Sequence, residues 1–294
     1  MTRSIGIDLR ATTIIAVAIE PDGSIVATTE VPLSKAGALE AARTLARSAS
    51  LDAAAPIGLA AWEPQLREVG EVVDALKREG STTVSVAGAG LAAAAAETWL
   101  GAARDAHYVC CLLVGEHVSA GAIVGGQPWT GAHGLAGSAA WLALNPVERQ
   151  DYRLHGCLDA EISDHGIARR LAWRVEAGDL SRVVERAGSL EAVTAAHVFD
   201  GARSGDGVAI SVVRDTARYI GMAVANLVAL FDPEVVVLGE LVASASDLLL
   251  EPVRQESLKR VSPALGGHLR LELTALDARG VAIGAARLAA LPSP

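Results

Sequence analysis

The chain has 294 residues, of which 51% are hydrophobic and 20% charged, so it is no disordered chain and can bury a sizeable core. A net charge of −9 argues against a nucleic-acid surface, and three cysteines are too few for a disulfide framework. Without a signal-peptide pattern or an apolar run of membrane-spanning length, we expect a cytoplasmic protein with neither nucleic-acid nor membrane partners.

The first hundred residues alternate between apolar runs of strand length and segments with apolar residues at 3–4 spacing. This pattern predicts strands at 4–9, 13–19 and 24–31, a helix at 34–47, a strand at 57–61, a helix at 65–78, a strand at 83–87 and an alanine-rich helix at 91–104.

A second, similar series begins at Tyr108 and includes a glycine-rich loop at 131–137. It predicts strands at 108–114 and 120–124, helices at 167–176, 189–204 and 208–230, a strand at 235–238, a helix at 247–260, a strand at 269–273 and a helix at 280–291. Two such series predict two α/β domains.

Five motifs, in one order, resemble those of the ROK family of repressors, open reading frames and sugar kinases. They are Ser4–Thr12 followed by Asp22-Gly23 (first phosphate motif), Gly115–Gly137 (second phosphate motif and sugar-binding loop), His155–Asp159 (end of a cysteine-rich segment), Phe231–Gly239 (adenosine motif) and Ala282–Ala286 (C-terminal helix).

The resemblance implies a two-domain α/β fold of the actin-like ATPase type, which is ribonuclease H-like. We expect an N-terminal domain at 1–105, completed by the C-terminal helix at 277–294, and a C-terminal domain at 106–276. The family's habit and the chain's high mean hydropathy also favour a homodimer through the C-terminal domain. The family's cofactor-binding positions fall on Asp8, Thr12, Gly115 and Gly239.

The resemblance places the family's catalytic base, an aspartate just before an alanine-rich helix, at Ala89. No acid occurs anywhere in Val84–Ala96, so a shifted alignment does not supply one, and we expect no catalytic residue. His117 and His133, on loops that the resemblance places at the cleft, are the substitute bases; a loop histidine is more often polar surface.

The sugar-binding positions are altered as well. The family's substrate-binding glutamate and histidine correspond to Ser138 and Trp141, and a second glutamate corresponds to Asp159. Trp141 could stack on a ligand or plug the sugar pocket. We favour the plug, because the apolar neighbours of this ring offer no set of polar partners.

The phosphate motifs lose the glycines that let a backbone approach phosphate closely. Arg10-Ala11 replaces a Gly-Gly pair, Glu116-His117 follows Gly115, and Glu240 stands at the adenosine motif's second glycine. The Arg10 guanidinium either fills the vacated phosphate site or is a solvated turn residue. Glu116 is more simply a solvated charge than a magnesium ligand.

Zinc is not expected. The positions of the family's four ligands hold Trp141, Gln150, Tyr152 and Cys157, of which only the cysteine suits the metal. A different site is conceivable from other residues, although loop and helix-start positions are the simpler interpretation. Those residues are His155, Cys157, Asp159 and His165.

Two functions remain open. The first is a catalytically degenerate ROK-like protein that needs no cofactor and binds a sugar-like small molecule or a protein partner. The second is a divergent kinase of a sugar, cyclitol or related alcohol, which would use ATP, Mg²⁺ and a displaced base. A DNA-binding repressor is not expected, because the first core strand begins at Ser4 and leaves no room for a helix-turn-helix.

Overall fold

The computed structural model describes residues 3–49, 55–79 and 83–291. Contacts divide them into two compact units. The first unit contains the described residues up to Cys111, Ser119–Ser138 and the chain from Thr274 onward, and the second contains Leu112–Val118 and Ala139–Leu273. The contact division places 106–111, Ser119–Ser138 and 274–276 with the N-terminal residues, and the domain bounds expected from the sequence stay a prediction.

The first unit is built on a five-stranded sheet in the order β3-β2-β1-β4-β5. The first three strands are antiparallel, whereas β4 and β5 run parallel to β1. Its elements are β1 (Ser4–Leu9), β2 (Thr13–Ile19), β3 (Ile25–Pro32), α1 (Lys35–Ser48), β4 (Ile57–Ala61), α2 (Arg67–Arg78), β5 (Val84–Gly88), α3 (Ala89–Leu100) and the last helix, α13 (Gly280–Ala290).

Small residues let α13 pack directly on this sheet. A Cβ atom on Gly6 would lie 1.8 Å from the Ala282 carbonyl oxygen, and one on Gly58 would lie 1.9 Å from that of Ala285. Gly284 is equally close to the backbone of Ala92 in α3. The alanine-rich sequences of α3 and α13 therefore follow from backbone-to-backbone packing, which leaves no volume for longer side chains.

A second five-stranded sheet has the order β10-β9-β6-β7-β8, with β9 and β10 parallel. Its strands are β6 (Val109–Val114), β7 (Val118–Val124), β8 (Gln127–Pro128), β9 (Val235–Glu240) and β10 (Leu271–Leu273). The remaining helices are α4 (Gln150–His155), α5 (Cys157–Ile162), α6 (Asp164–Glu176), α7 (Val183–Ala187), α8 (Ala195–Arg203), α9 (Gly207–Phe231), α10 (Leu241–Ser244), α11 (Ser246–Leu258) and α12 (Pro263–Gly266), with a 3₁₀ turn at Ala139–Trp141.

The predicted strands and long helices are present with ends shifted by up to four residues, except that the helix predicted at 189–204 begins only at Ala195. The N-terminal ends of α1 and α9 are capped by the side chains of Ser34 and Asp206, which accept backbone N–H bonds. Sequence reasoning missed the short helices α4, α5 and α7, which lack enough turns for an apolar period to register. Within the described residues, no helix is both long and apolar enough to cross a membrane.

Candidate functional site

In the first unit, the loop after β1 is closed by an ion pair. The Arg10 Nε atom donates to Asp8 Oδ2 at 2.8 Å, and its Nη2 atom donates to the Ala278 carbonyl at 3.1 Å. Asp8 is only 3% exposed. These bonds show that the Arg10 guanidinium is not a simply solvated turn residue, and that it fills a phosphate site stays a prediction.

This arrangement does not fit a magnesium–phosphate group at Asp8. A carboxylate suits Mg²⁺ when it can face the ion, whereas here Arg10 supplies the positive charge. Thr12, the other retained residue of the motif, is exposed, and its carbonyl accepts the Leu33 N–H at 2.8 Å.

Ala89 is the first residue of α3 and is 9% exposed. The first turn of this helix holds no acidic side chain, and its N-cap, Gly88, makes no side-chain cap. The next amide, of Gly90, donates to Ser119 Oγ at 3.0 Å. The N-terminus of α3 therefore carries no group that could accept a proton from a substrate hydroxyl.

The other end of α3 carries a buried acid, Glu97, which is 2% exposed. The Glu97 carboxylate accepts the Ala102 N–H at 2.7 Å, the Thr274 hydroxyl and, at 3.5 Å, the Ala275 N–H. These bonds fasten the point where the chain re-enters the first unit. The role of Glu97 is thus structural.

The glycine-rich loop presents its predicted site residues at the surface. Ser138 is exposed, and its hydroxyl donates to the Leu135 carbonyl at 2.8 Å. His133 is exposed, and its backbone carbonyl accepts the Gln65 side-chain amide at 3.2 Å. Among the described residues, no acid holds either side chain in place, as one commonly does for a catalytic base.

In the second unit, the turn between β6 and β7 carries a histidine beside a buried acid. Asp159, in α5, is 3% exposed and accepts the Val118 N–H at 2.6 Å. The His117 Nδ1 atom lies 3.7 Å from the same Asp159 oxygen. Among the predicted residues, these two are brought together, and the carboxylate can orient the ring and stabilise its protonated form.

The same turn begins with Gly115, which faces the carboxylate of Glu240. Gly239, the residue immediately before Glu240, is buried, and a Cβ atom on Gly239 would lie 2.6 Å from a methyl of Leu113. Glu116 is exposed. The predicted cofactor-binding positions therefore lie against other side chains, Gly115 against the Glu240 carboxylate and Gly239 against a methyl of Leu113.

The expectation that Trp141 plugs a pocket is wrong. Its side chain is 47% exposed, because the 3₁₀ turn buries the two preceding alanines instead. The mapped zinc positions do not fit a metal either. Tyr152 at one of them donates its hydroxyl to the buried Glu161, so the phenol serves a hydrogen bond within the protein.

That bond is part of a polar network which sequence reasoning missed. Glu161 also lies 3.4 Å from Arg149 Nη1 and 3.9 Å from Arg170 Nη1, and the Asn145 amide bridges the hydroxyls of Tyr152 and Tyr219. Burial and the hydrogen bond to Glu161 raise the pKa of Tyr152, so the phenol remains protonated. The network holds α4, α5, α6 and α9 together.

The alternative metal set is also not assembled. His155 and His165 have ring centroids 6.0 Å apart. Within 3–49, 55–79 and 83–291, no three histidine, cysteine or acidic residues are grouped so that they could hold an ion.

Comparison with known proteins places this fold among sugar kinases and repressors. The model of the ROK family matches residues 61–291. A glucokinase of Halalkalibacterium halodurans is 31% identical over 211 residues, which are 70% of this chain and 63% of that protein. A xylose repressor of Caldicellulosiruptor bescii is 27% identical over 197 residues, covering 66% of this chain and 48% of the repressor.

Solved structures agree on the architecture. The chain is similar to the ROK hexokinase of Thermus thermophilus, with a TM-score of 0.77, 27% identity and coverage of 98% of both chains. The curated relatives above are matched over only about half to three fifths of their own length. The two-sheet α/β architecture is therefore the actin-like ATPase fold of the ROK sugar kinases.

Proposed function

Because this chain belongs to the ROK family, we propose that it is a catalytically degenerate sugar-kinase-like protein which acts by binding a small ligand or a protein partner. The observation that carries this proposal is the acid-free N-terminus of α3, at which the resemblance places the family's base on Ala89. Loss of a general base removes roughly 10²–10⁴-fold of rate. The Arg10–Asp8 ion pair adds an independent obstacle, because it occupies the loop that would face phosphate.

The test is a coupled assay of the purified protein with ATP–Mg²⁺ and glucose, mannose, allose or their N-acetylated amines. We expect no turnover, and no rise in melting temperature with ATP–Mg²⁺. Turnover on any common hexose would contradict the degenerate assignment. Ala89→Asp alone is expected to restore nothing, since it repairs the chemistry but not phosphate binding.

A combined variant probes phosphate binding separately. Arg10→Gly, Ala11→Gly and Glu116→Thr together are expected to recover only part of the ATP–Mg²⁺ binding, seen as a small thermal shift, because backbone approach is restored and a negative charge removed. Ala89 is left unchanged in this variant, so binding without turnover is the expected result.

A divergent kinase is the second candidate, and the His117–Asp159 pair is the observation that favours it. A buried carboxylate beside an imidazole is an arrangement that activates a base. His133 lacks such a carboxylate in its described surroundings, so any displaced base is His117. If turnover with an alcohol substrate appears, His117→Ala must abolish it while His133→Ala, the matched control, leaves it unchanged.

We also propose a homodimer through the second unit and no resident zinc. Large apolar side chains are exposed there, with Leu180 95% and Leu230 73% exposed. Light scattering at micromolar concentration is expected to give a dimer, and a strict monomer would contradict this. Metal analysis of the purified protein is expected to find no stoichiometric zinc.

A further inference from the structure

Glu240, the last residue of β9, has a backbone conformation that is normally found at glycine. Glu240 lies at φ 56° and ψ −118°, one of three non-glycine residues with positive φ among those described. A side chain is strained in this region, because its Cβ crowds the neighbouring peptide groups. Such strain persists only where surrounding contacts hold the residue in place.

The side chain explains where those contacts are. A Cβ atom built on Gly115 would lie 1.7 Å from Glu240 Oε2, 2.7 Å from its Cδ and 3.4 Å from its Oε1. The three nearest atoms to that position thus all belong to one carboxylate. Glu240 fills the space in front of the Gly115 backbone that the missing side chain leaves.

The turn that receives this carboxylate is itself fixed. The Gly115 N–H donates to the His117 carbonyl at 3.2 Å, and the Gly115 carbonyl accepts the Asp164 N–H at 2.8 Å. Gly115 cannot move away from Glu240 without breaking the bond to Asp164 at the start of α6. The strained backbone of Glu240 and the anchored turn therefore hold the carboxylate at one place.

We propose that Glu240 is a built-in anionic occupant of this turn, an autoinhibitory contact that keeps nucleotide phosphates off the second unit. The proposal rests on the proposed function, in which the turn is the counterpart of a phosphate motif. The carboxylate excludes phosphate in two ways: it fills the close-approach surface that glycine opens, and it repels a second anion.

Three substitutions at this position separate the effects. Glu240→Gly removes the carboxylate and the backbone strain, Glu240→Ala removes the carboxylate alone, and Glu240→Gln keeps the volume but not the charge. Each is made in the full chain and again with Arg10→Gly and Ala11→Gly, so that the first unit does not mask the result. Glu251→Ala, an exposed glutamate in α11, is the matched control.

The readouts are melting temperature without ligand and titration with ADP or ATP plus Mg²⁺. Glu240→Gly should melt at or above the parent, whereas Glu240→Ala should melt below it. Both should bind nucleotide at least about tenfold more tightly than their parent, and Glu240→Gln by less. If neither alters nucleotide affinity in either background, Glu240 is not the occluding group and the proposal is overturned.

A phosphoryl-transfer assay distinguishes a failure of the occlusion proposal from a failure of the proposed function. Tighter nucleotide binding by Glu240→Gly without turnover supports both proposals. Unchanged binding without turnover overturns the occlusion and leaves the degenerate assignment intact. Turnover by the unsubstituted chain, raised further by Glu240→Gly, overturns the degenerate assignment and supports the occlusion.

Discussion

Replacing Arg10 by alanine should destabilise the first unit strongly, because it leaves the buried Asp8 carboxylate without its cation. One charge-assisted hydrogen bond to Asp8 and one to the Ala278 carbonyl are lost. Charged hydrogen bonds contribute about 1.5–3 kcal/mol each, and breaking a buried pair costs about 3–5 kcal/mol. The Arg10 side chain is 26% exposed, so we take the lower end, about 3 kcal/mol.

Calorimetry would show this as a fall of roughly 6–10 °C in the melting transition of the first unit. Arg104→Ala, which removes an exposed arginine of the same unit, should change it by less than about 1 °C. The double variant Asp8→Asn, Arg10→Ala should lose less free energy of unfolding than the sum of the losses of the two single variants, because both partners of the ion pair are removed together. An Arg10→Ala variant that melts with the parent would show that the guanidinium is solvated and refute the reasoning.

Three further predictions follow from buried groups. Glu97→Gln should lower the free energy of unfolding in urea by about 1.5–3 kcal/mol, because the amide nitrogen cannot accept the bonds that the Ala102 N–H and the Thr274 hydroxyl donate to the two carboxylate oxygens. The exposed Glu68→Gln, the matched control, should be near neutral. Glu161→Gln should lower the free energy of unfolding by about 2–4 kcal/mol. Glu148→Gln, which removes a surface ion pair with Arg153, should lower it by less than about 1 kcal/mol. Equal effects of the two substitutions would contradict a stabilising role of the buried network. All three cysteines are buried, and burial raises the pKa of Cys110 to about 12, so Ellman's reagent at pH 8 should react only after unfolding; a fast thiol in the native protein would contradict this.

The sequence predicts the main strands and long helices because each repeats its apolar pattern over several residues. The alanines and glycine of the Ala282–Ala286 motif are also consistent with the close packing observed around α13. Family resemblance then assigns the two-sheet fold, and the comparisons confirm it. None of these steps depends on knowing which side chains meet across the fold.

The site was harder to predict because its features depend on long-range partners. A short loop pattern does not reveal whether Arg10 turns toward Asp8 or toward water; the backbone carbonyl of Ala278, distant in sequence, decides it. The position of Trp141 depends on the 3₁₀ turn, which buries Ala139 and Ala140 and leaves the ring outside, and no local apolar pattern reveals which side of so short a turn faces the core. The Glu161 network was invisible without α4 and α5, which place Tyr152 beside Glu161.

Charged side chains at the predicted phosphate positions already have contacts within the protein. These contacts explain why Ala89→Asp alone should not restore activity. In a binding site for a charged ligand, the polar groups are fully paired only when the ligand is present. Here Arg10 pairs with Asp8, and Glu240 lies against Gly115. Under the proposed function, each of these contacts lowers nucleotide affinity within its own unit by the free energy of breaking it. Adding an aspartate at Ala89 changes neither contact, which is why restored chemistry alone should leave the protein inactive.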